Sequence, residues 1–268
     1  MALQYYNYPN MIVFYRFILS ALVMLAYTQI FKVSLKLSKK QFLMVLLFGV
    51  LGYGMTDYLL TLSFTYISSG LAVVLHFSYP TIISIFAVLL FKEKISLSKV
   101  LAIIIAFAGI IMMSDISGKL YIKGIVLALC SSVTYSVFVL ANRHRELSAL
   151  PTTTVIFYVS LFSSLPVLVS GVIQKEALVP DNINTWIALV VGALVSTVLA
   201  LNMITSAIRI LGASLTSILN MLEPFVSVVA GIIFFHESMT TLMGVGMVLV
   251  LAGAFITVLP SFRAAASP

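Results

Sequence analysis

Long uninterrupted blocks of apolar residues run along this chain, divided by short polar breaks, and strict alternation is absent. Residues 11–31 and 42–62 each form an apolar run of about twenty residues, and a helix rising ~1.5 Å per residue over that length crosses the ~30 Å hydrocarbon core of a bilayer. Continuous apolarity argues for helices rather than the alternating strands of a membrane barrel. The pattern predicts an all-α integral membrane protein with about nine transmembrane helices, at 11–31, 42–64, 69–91, 97–114, 122–141, 152–173, 186–207, 212–235 and 241–260. The breaks between them carry turn or charged residues, among them 32–40, 92–96, 115–119, 142–151, 174–185, 209–212 and 236–239.

Composition agrees. Of 268 residues, 62% are hydrophobic and 9% charged, where a soluble domain carries roughly 25% charged residues. The formal charge of +7 is the excess expected of basic loops retained in the cytoplasm, so no nucleic-acid partner is implied and the bilayer is the expected surrounding. Placing the loop after the first span inside puts Lys32, Lys36, Lys39, Lys40, Lys92, Lys94, Lys99, Arg143, Arg145, Arg209 and Arg263 on the cytoplasmic side, against Lys119, Lys123 and Lys175 outside. This predicts a multi-pass protein of the cell (plasma or inner) membrane with a cytoplasmic C-terminus. Residues 1–10 contain no basic residue, so no cleaved leader is expected. Cys130 has no intramolecular partner, and His76, His144 and His236 are too dispersed for a metal site, so no metal or cofactor is expected.

A shift of 144 positions aligns Leu71 with Leu215, Leu75 with Leu219, Pro80 with Pro224, Phe91 with Phe235, Glu93 with Glu237 and Gly109 with Gly253. One period holds five spans, and an odd number reverses the direction in which the second copy crosses the membrane. Inverted repeats are a device of secondary transporters, whose site near the midplane opens alternately to the two sides. The division predicted is 1–117 for the first repeat, 118–262 for the second and 263–268 for a short cytoplasmic tail. The first copy shows four spans, and the counterpart of 122–141 would lie before residue 1, so a first helix is expected to be missing.

Several segments together resemble the EamA family of the drug/metabolite transporter superfamily. They are Phe14-Tyr15-Arg16-Phe17, Tyr79-Pro80 with Phe91-Lys92-Glu93-Lys94, Glu223-Pro224 with Phe235-His236-Glu237-Ser238, and the pairs Ala108-Gly109 and Ala252-Gly253. Tyr135-Ser136 departs from the Trp-Ala that many relatives carry there. The resemblance implies a ten-helix permease that moves small organic metabolites, often amino acids or related amphipathic compounds, by alternating access without ATP hydrolysis. It does not imply a particular substrate.

Polar groups inside spans are costly in lipid and mark candidate sites for substrate or protons. Asp57 is the first choice for proton coupling, set against a wetted position near a helix end. Glu223, with Asn220 and Thr216 on the same helical face, forms a polar stripe that the repeat maps onto Tyr79, His76 and Ala72. Pro80 and Pro224 are read as helix kinks that can open a carbonyl. Asn202 with Thr205, and Tyr135 with Ser132 and Ser136, are further candidates, with interhelical hydrogen bonding as the alternative. Arg16 reads as an interfacial anchor or a binder of a substrate carboxylate. Glu93 and Glu237 read as architectural, and Gly49, Gly52 and Gly54 as close packing or a hinge rather than a phosphate loop.

The function expected is secondary active transport of a small organic metabolite, with proton coupling. A non-transporting membrane partner is the alternative. A membrane-embedded enzyme is disfavoured because neither HExxH nor Gly-x-Ser-x-Gly occurs. Oligomeric state is open.

Overall fold

The computed structural model describes residues 8–92, 96–113, 121–176, 179–180, 182–235 and 240–266. Among these, apart from the one-turn helix Arg145–Ser148, the helices fall into nine segments: α1 Pro9–Ile30, α2 Lys39–Ser63, α3 Ser69–Leu90, α4 Leu97–Met113, α5 Ile122–Asn142, α6 Thr152–Ile173, α7 Ile183–Leu211, α8 at 213–235 and α9 Thr241–Ala266. Six of them, α1 to α3 and α5 to α7, are long and apolar enough to cross a membrane, and α4 and Thr241–Ile256 of α9 are shorter apolar helices. Glu93 and Glu237 lie outside the described residues.

The chain divides into two compact units. One comprises residues 1–62 and 134–210, the other 63–133 and 211–268, so each takes helices from both halves of the sequence and α5 contributes to both.

In the first unit α1 packs along α6. Both helices close in the same way: Val33 N–H bonds the Thr28 carbonyl at 2.9 Å, and Glu176 N–H bonds the Gly171 carbonyl at 2.9 Å, with Lys32 and Lys175 in left-handed conformation at the turn. The helix α2 is interrupted by a π-helical stretch, Phe48–Gly54, and α7 by another, Ala193–Leu199. A π turn displaces carbonyls from the regular ladder, and in lipid each needs a donor. Ser163 on α6 donates to the Gly49 carbonyl at 2.9 Å, and the Ser20 hydroxyl on α1 shares its proton between the Arg16 carbonyl of its own helix at 2.6 Å and the Ala193 carbonyl at 3.1 Å. The two bonds are reciprocal across the repeat: Gly49 and Ala193 differ by 144 positions, Ser20 and Ser163 by 143. Inside the first π stretch, a Cβ on Gly54 would lie 2.7 Å from the Ser163 Cα, and one on Gly52 would lie 3.0 Å from the Phe138 Cβ. These glycines therefore serve close packing.

In the second unit α4 crosses α9 on small residues. A Cβ on Gly109 would lie 2.6 Å from the Gly246 carbonyl oxygen, and one on Gly253 would lie 2.8 Å from that of Ala102. The 144-residue shift exchanges these two contacts, Gly109 for Gly253 and Ala102 for Gly246. Small residues let the backbones approach, which is the main source of helix association where the solvent is itself apolar.

Several helix ends differ from the pattern of apolar residues, α9 running to Ala266 rather than 260 among them. The helix α7 runs to Leu211 rather than ending near 207, because Arg209 is held by the Thr152 hydroxyl at 2.9 Å and the Leu147 carbonyl at 3.2 Å. Gly212, at φ 86°, then turns the chain directly into α8.

Candidate functional site

Arg16 and Asp57 meet inside the first unit. The Arg16 Nη2 donates to Asp57 Oδ2 at 2.5 Å, with side chains 24% and 26% exposed. Arg16 lies seven residues after the start of α1 and Asp57 six before the end of α2, so each sits about 10 Å from its helix end and the two reach one level. The Arg16 guanidinium, read as an interfacial anchor or a binder of a substrate carboxylate, turns here to the carboxylate of a neighbouring helix. Asp57 is thereby paired, with about a quarter of its side chain still exposed. The contact is single. The Arg16 Nε is buried and, among the described residues, has no hydrogen-bond partner. The Arg16 guanidinium carbon lies 5.2 Å from the centre of the Phe17 ring, and Phe17 belongs to a core cluster with Val13 and Val167 against which Phe14, Tyr53 and Tyr58 pack.

Nearby, Thr56 donates to the Gly52 carbonyl at 2.7 Å, so the Thr134 hydroxyl, 2.8 Å away, donates to Thr56. Tyr135, half-buried, lies with its ring 6.2 Å from that of Phe138, and Ser132 and Ser136 are buried. On α7, Asn202 is half-buried and Thr205 is buried.

The second unit gathers His76, Tyr79, Asn220 and Glu223. The helix α3 breaks at Phe77–Ser78, just before Tyr79-Pro80, and α8 passes through a 3-10 turn, Asn220–Leu222, just before Glu223-Pro224. The two breaks are 144 residues apart. Proline lacks the amide that would bond the carbonyl four residues back, so the ladder fails at the same place in each copy. Tyr79 is 2% exposed, its hydroxyl bonded to the Asn220 side chain with the Glu223 carboxylate close enough to act on it. Thr216 is buried and bonds back to the Gly212 carbonyl at 2.8 Å, so it belongs to the helix rather than to this cluster; Glu223 is exposed.

The His76 Nδ1 lies 2.9 Å from Ser131 Oγ. The Ser131 hydroxyl gives its one proton to the Ala128 carbonyl at 2.6 Å, so the imidazole donates to it from Nδ1. Ser78 likewise donates to Ser132 at 2.9 Å.

Sequence reasoning missed one charged residue. Glu176, 9% exposed, accepts from the Met11 amide at 3.0 Å and the Asn10 side chain at 2.6 Å, capping α1 from the far end of α6. No local capping motif marks it, because cap and helix are 165 residues apart.

The model of the EamA-like transporter family matches residues 2–115 and again 122–259. The chain belongs to that family. An uncharacterized transporter of Archaeoglobus fulgidus is 30% identical over 222 residues, covering 78% of this chain and 75% of that protein. An uncharacterized transporter of Synechocystis is 26% identical over 201 residues, 72% of this chain and 59% of its own length. A crystal structure of another protein shares the fold, with a TM-score of 0.82 over 96% of this chain and 90% of that chain, at 18% identity. This EamA-like protein is therefore a multi-pass membrane transporter, and the family points to transport rather than catalysis.

Proposed function

We propose that this EamA-like transporter moves a small organic metabolite, an amino acid or related amphipathic compound, across the cell membrane by alternating access, coupled to protons. The C-terminus lies in the cytoplasm on this reading. Its partners are the small molecule and the bilayer, with no nucleic acid and no cofactor.

The observation that carries the proposal is the matched pair of helix breaks in the second unit. At each break an interrupted helix presents polar side chains, Tyr79 and His76 from one copy and Asn220 and Glu223 from the other. Interrupted helices with polar groups at membrane depth are how inverted-repeat transporters hold a polar substrate without exposing backbone to lipid. Within the first unit, taken by itself, Asp57 supplies a carboxylate for the proton, with Arg16 as its partner and Tyr135 and Asn202 as further polar candidates.

The test is flux in proteoliposomes against protein-free vesicles, across a panel of labelled amino acids, organic acids and amphipathic amines. Protein-dependent, saturable uptake or counterflow of at least one compound is expected. No flux of any, with or without a pH gradient, contradicts the proposal.

A further inference from the structure

The ion pair of the first unit has no counterpart in the second repeat. The register set by Ser20 with Ser163 and by Gly49 with Ala193 carries Arg16 onto Val159 and Asp57 onto Leu201, both apolar. Nothing in the repeat architecture needs charge at these positions. An ion pair removed from water is weak evidence for stability, since its desolvation offsets most of its attraction. Its form is also incomplete. A guanidinium carries five donors suited to a two-point grip on a carboxylate, and here one Nη reaches one oxygen while Nε is buried without a partner.

We infer that Arg16 is the receptor for a carboxylate on the transported compound, and that Asp57 holds its place until a proton releases it. The substrate is thus an organic acid with a single carboxylate and no second charge, and it enters with one proton. The inference rests on the transport reading above. The step balances in charge: the empty site holds Arg16 with positive charge and Asp57 with negative charge. The loaded site holds the same guanidinium, a substrate carboxylate and a neutral Asp57 carboxyl that has gained one proton. Both states are net neutral, so neither leaves an unpaired charge in the membrane, the condition for moving an anion through a low-dielectric site.

Among the described residues, the other carboxyls of this unit are engaged elsewhere: Glu176 by the Met11 amide and the Asn10 side chain at the start of α1, and Glu146 by Lys40. Apart from Lys39 and Lys40 at the far end of α2 and Lys123 at the start of α5, the titratable side chains on the segments around the pair are phenols and one thiol. They are Tyr15 and Tyr27 on α1, Tyr53 and Tyr58 on α2, Tyr158 on α6, and Tyr135 with exposed Cys130 on α5; residues 183–205 of α7 carry none.

The test is binding to the purified full chain in detergent, read by thermal stability and by proton uptake with an indicator dye in weak buffer. The probes are straight-chain carboxylates from butyrate to octanoate, each with its matched alcohol and amine. The carboxylates are expected to stabilise the protein where the alcohols do not, with about one proton taken up per ligand and affinity rising about tenfold per pH unit lowered. Asp57→Asn should bind the same carboxylates with no proton uptake and little pH dependence. Arg16→Gln should lose carboxylate binding, and Arg16→Lys should restore part of it if the loss is not merely unfolding. Equal stabilisation by alcohol and carboxylate overturns the inference, as does proton uptake unchanged in Asp57→Asn. Carboxylate binding without flux would sink the transport reading and leave this site standing. Flux of amines alone would do the reverse.

Discussion

Arg16 on α1 and Asp57 on α2 meet through one 2.5 Å contact, and the repeat-related positions hold Val159 and Leu201. Architecture and charge can therefore be separated by mutation. The double variant Arg16→Val with Asp57→Leu installs the residues of the second copy and should fold within about 1 kcal/mol of the parent. Asp57→Leu alone leaves a cation without its partner and should cost about 2 kcal/mol, between the values for exposed and buried pairs. Unfolding in mixed micelles gives both numbers, and a double variant worse than either single one would show the pair to be structural.

The glycines of the α4–α9 crossing make a second prediction. Gly109→Ala places a methyl within 2.6 Å of the Gly246 carbonyl oxygen, against backbone that cannot yield cheaply, and should cost about 1–3 kcal/mol. Gly192→Ala, with nothing within 4 Å, should be neutral or stabilising by up to about 1 kcal/mol. The same unfolding measurement checks both, and equal effects would contradict the close crossing.

Glu176→Ala removes the cap on α1 and leaves the Met11 amide and the Asn10 side chain without their acceptor. A loss of about 1–2 kcal/mol is expected. Hydrogen exchange should rise at residues 10–13 while the middle of α1 stays protected. Uniform exchange along α1 would show that the cap matters to the whole helix rather than to its end.

Tyr79→Phe removes the hydroxyl bonded to Asn220 while keeping the ring packed beside His76 at 5.3 Å. On the proposed function this raises the KM for transport roughly five- to tenfold, the effect of one lost hydrogen bond, with expression unchanged. An unaltered KM would take Tyr79 out of the substrate path.

Much of the fold was legible in the chain because the bilayer imposes a coarse rule: twenty apolar residues between polar breaks make one helix. The repeat was legible too, since Pro80 with Pro224 and Gly109 with Gly253 recur where backbone geometry needs them. The π stretches were not. Phe48–Gly54 and Ala193–Leu199 are as apolar as their surroundings, and each meets a serine hydroxyl of another helix, Ser163 or Ser20, which no local pattern places there. The same limit hid the pairing of Arg16 with Asp57. Each was visible as a charge inside a span, but their meeting depends on the antiparallel register of α1 and α2, which no local pattern encodes. Glu176 was hidden further, for its partner lies at the other end of the unit's sequence.

The most direct measurement compares two modes of transport in proteoliposomes for a carboxylate found in the flux panel: uptake driven by a pH gradient, and counterflow exchange at equal pH. In the parent protein both should proceed. In Asp57→Asn, gradient-driven uptake should fall to the protein-free level while exchange persists, because Arg16 still binds the carboxylate but no proton accompanies it. Gradient-driven uptake unchanged in Asp57→Asn would contradict the account.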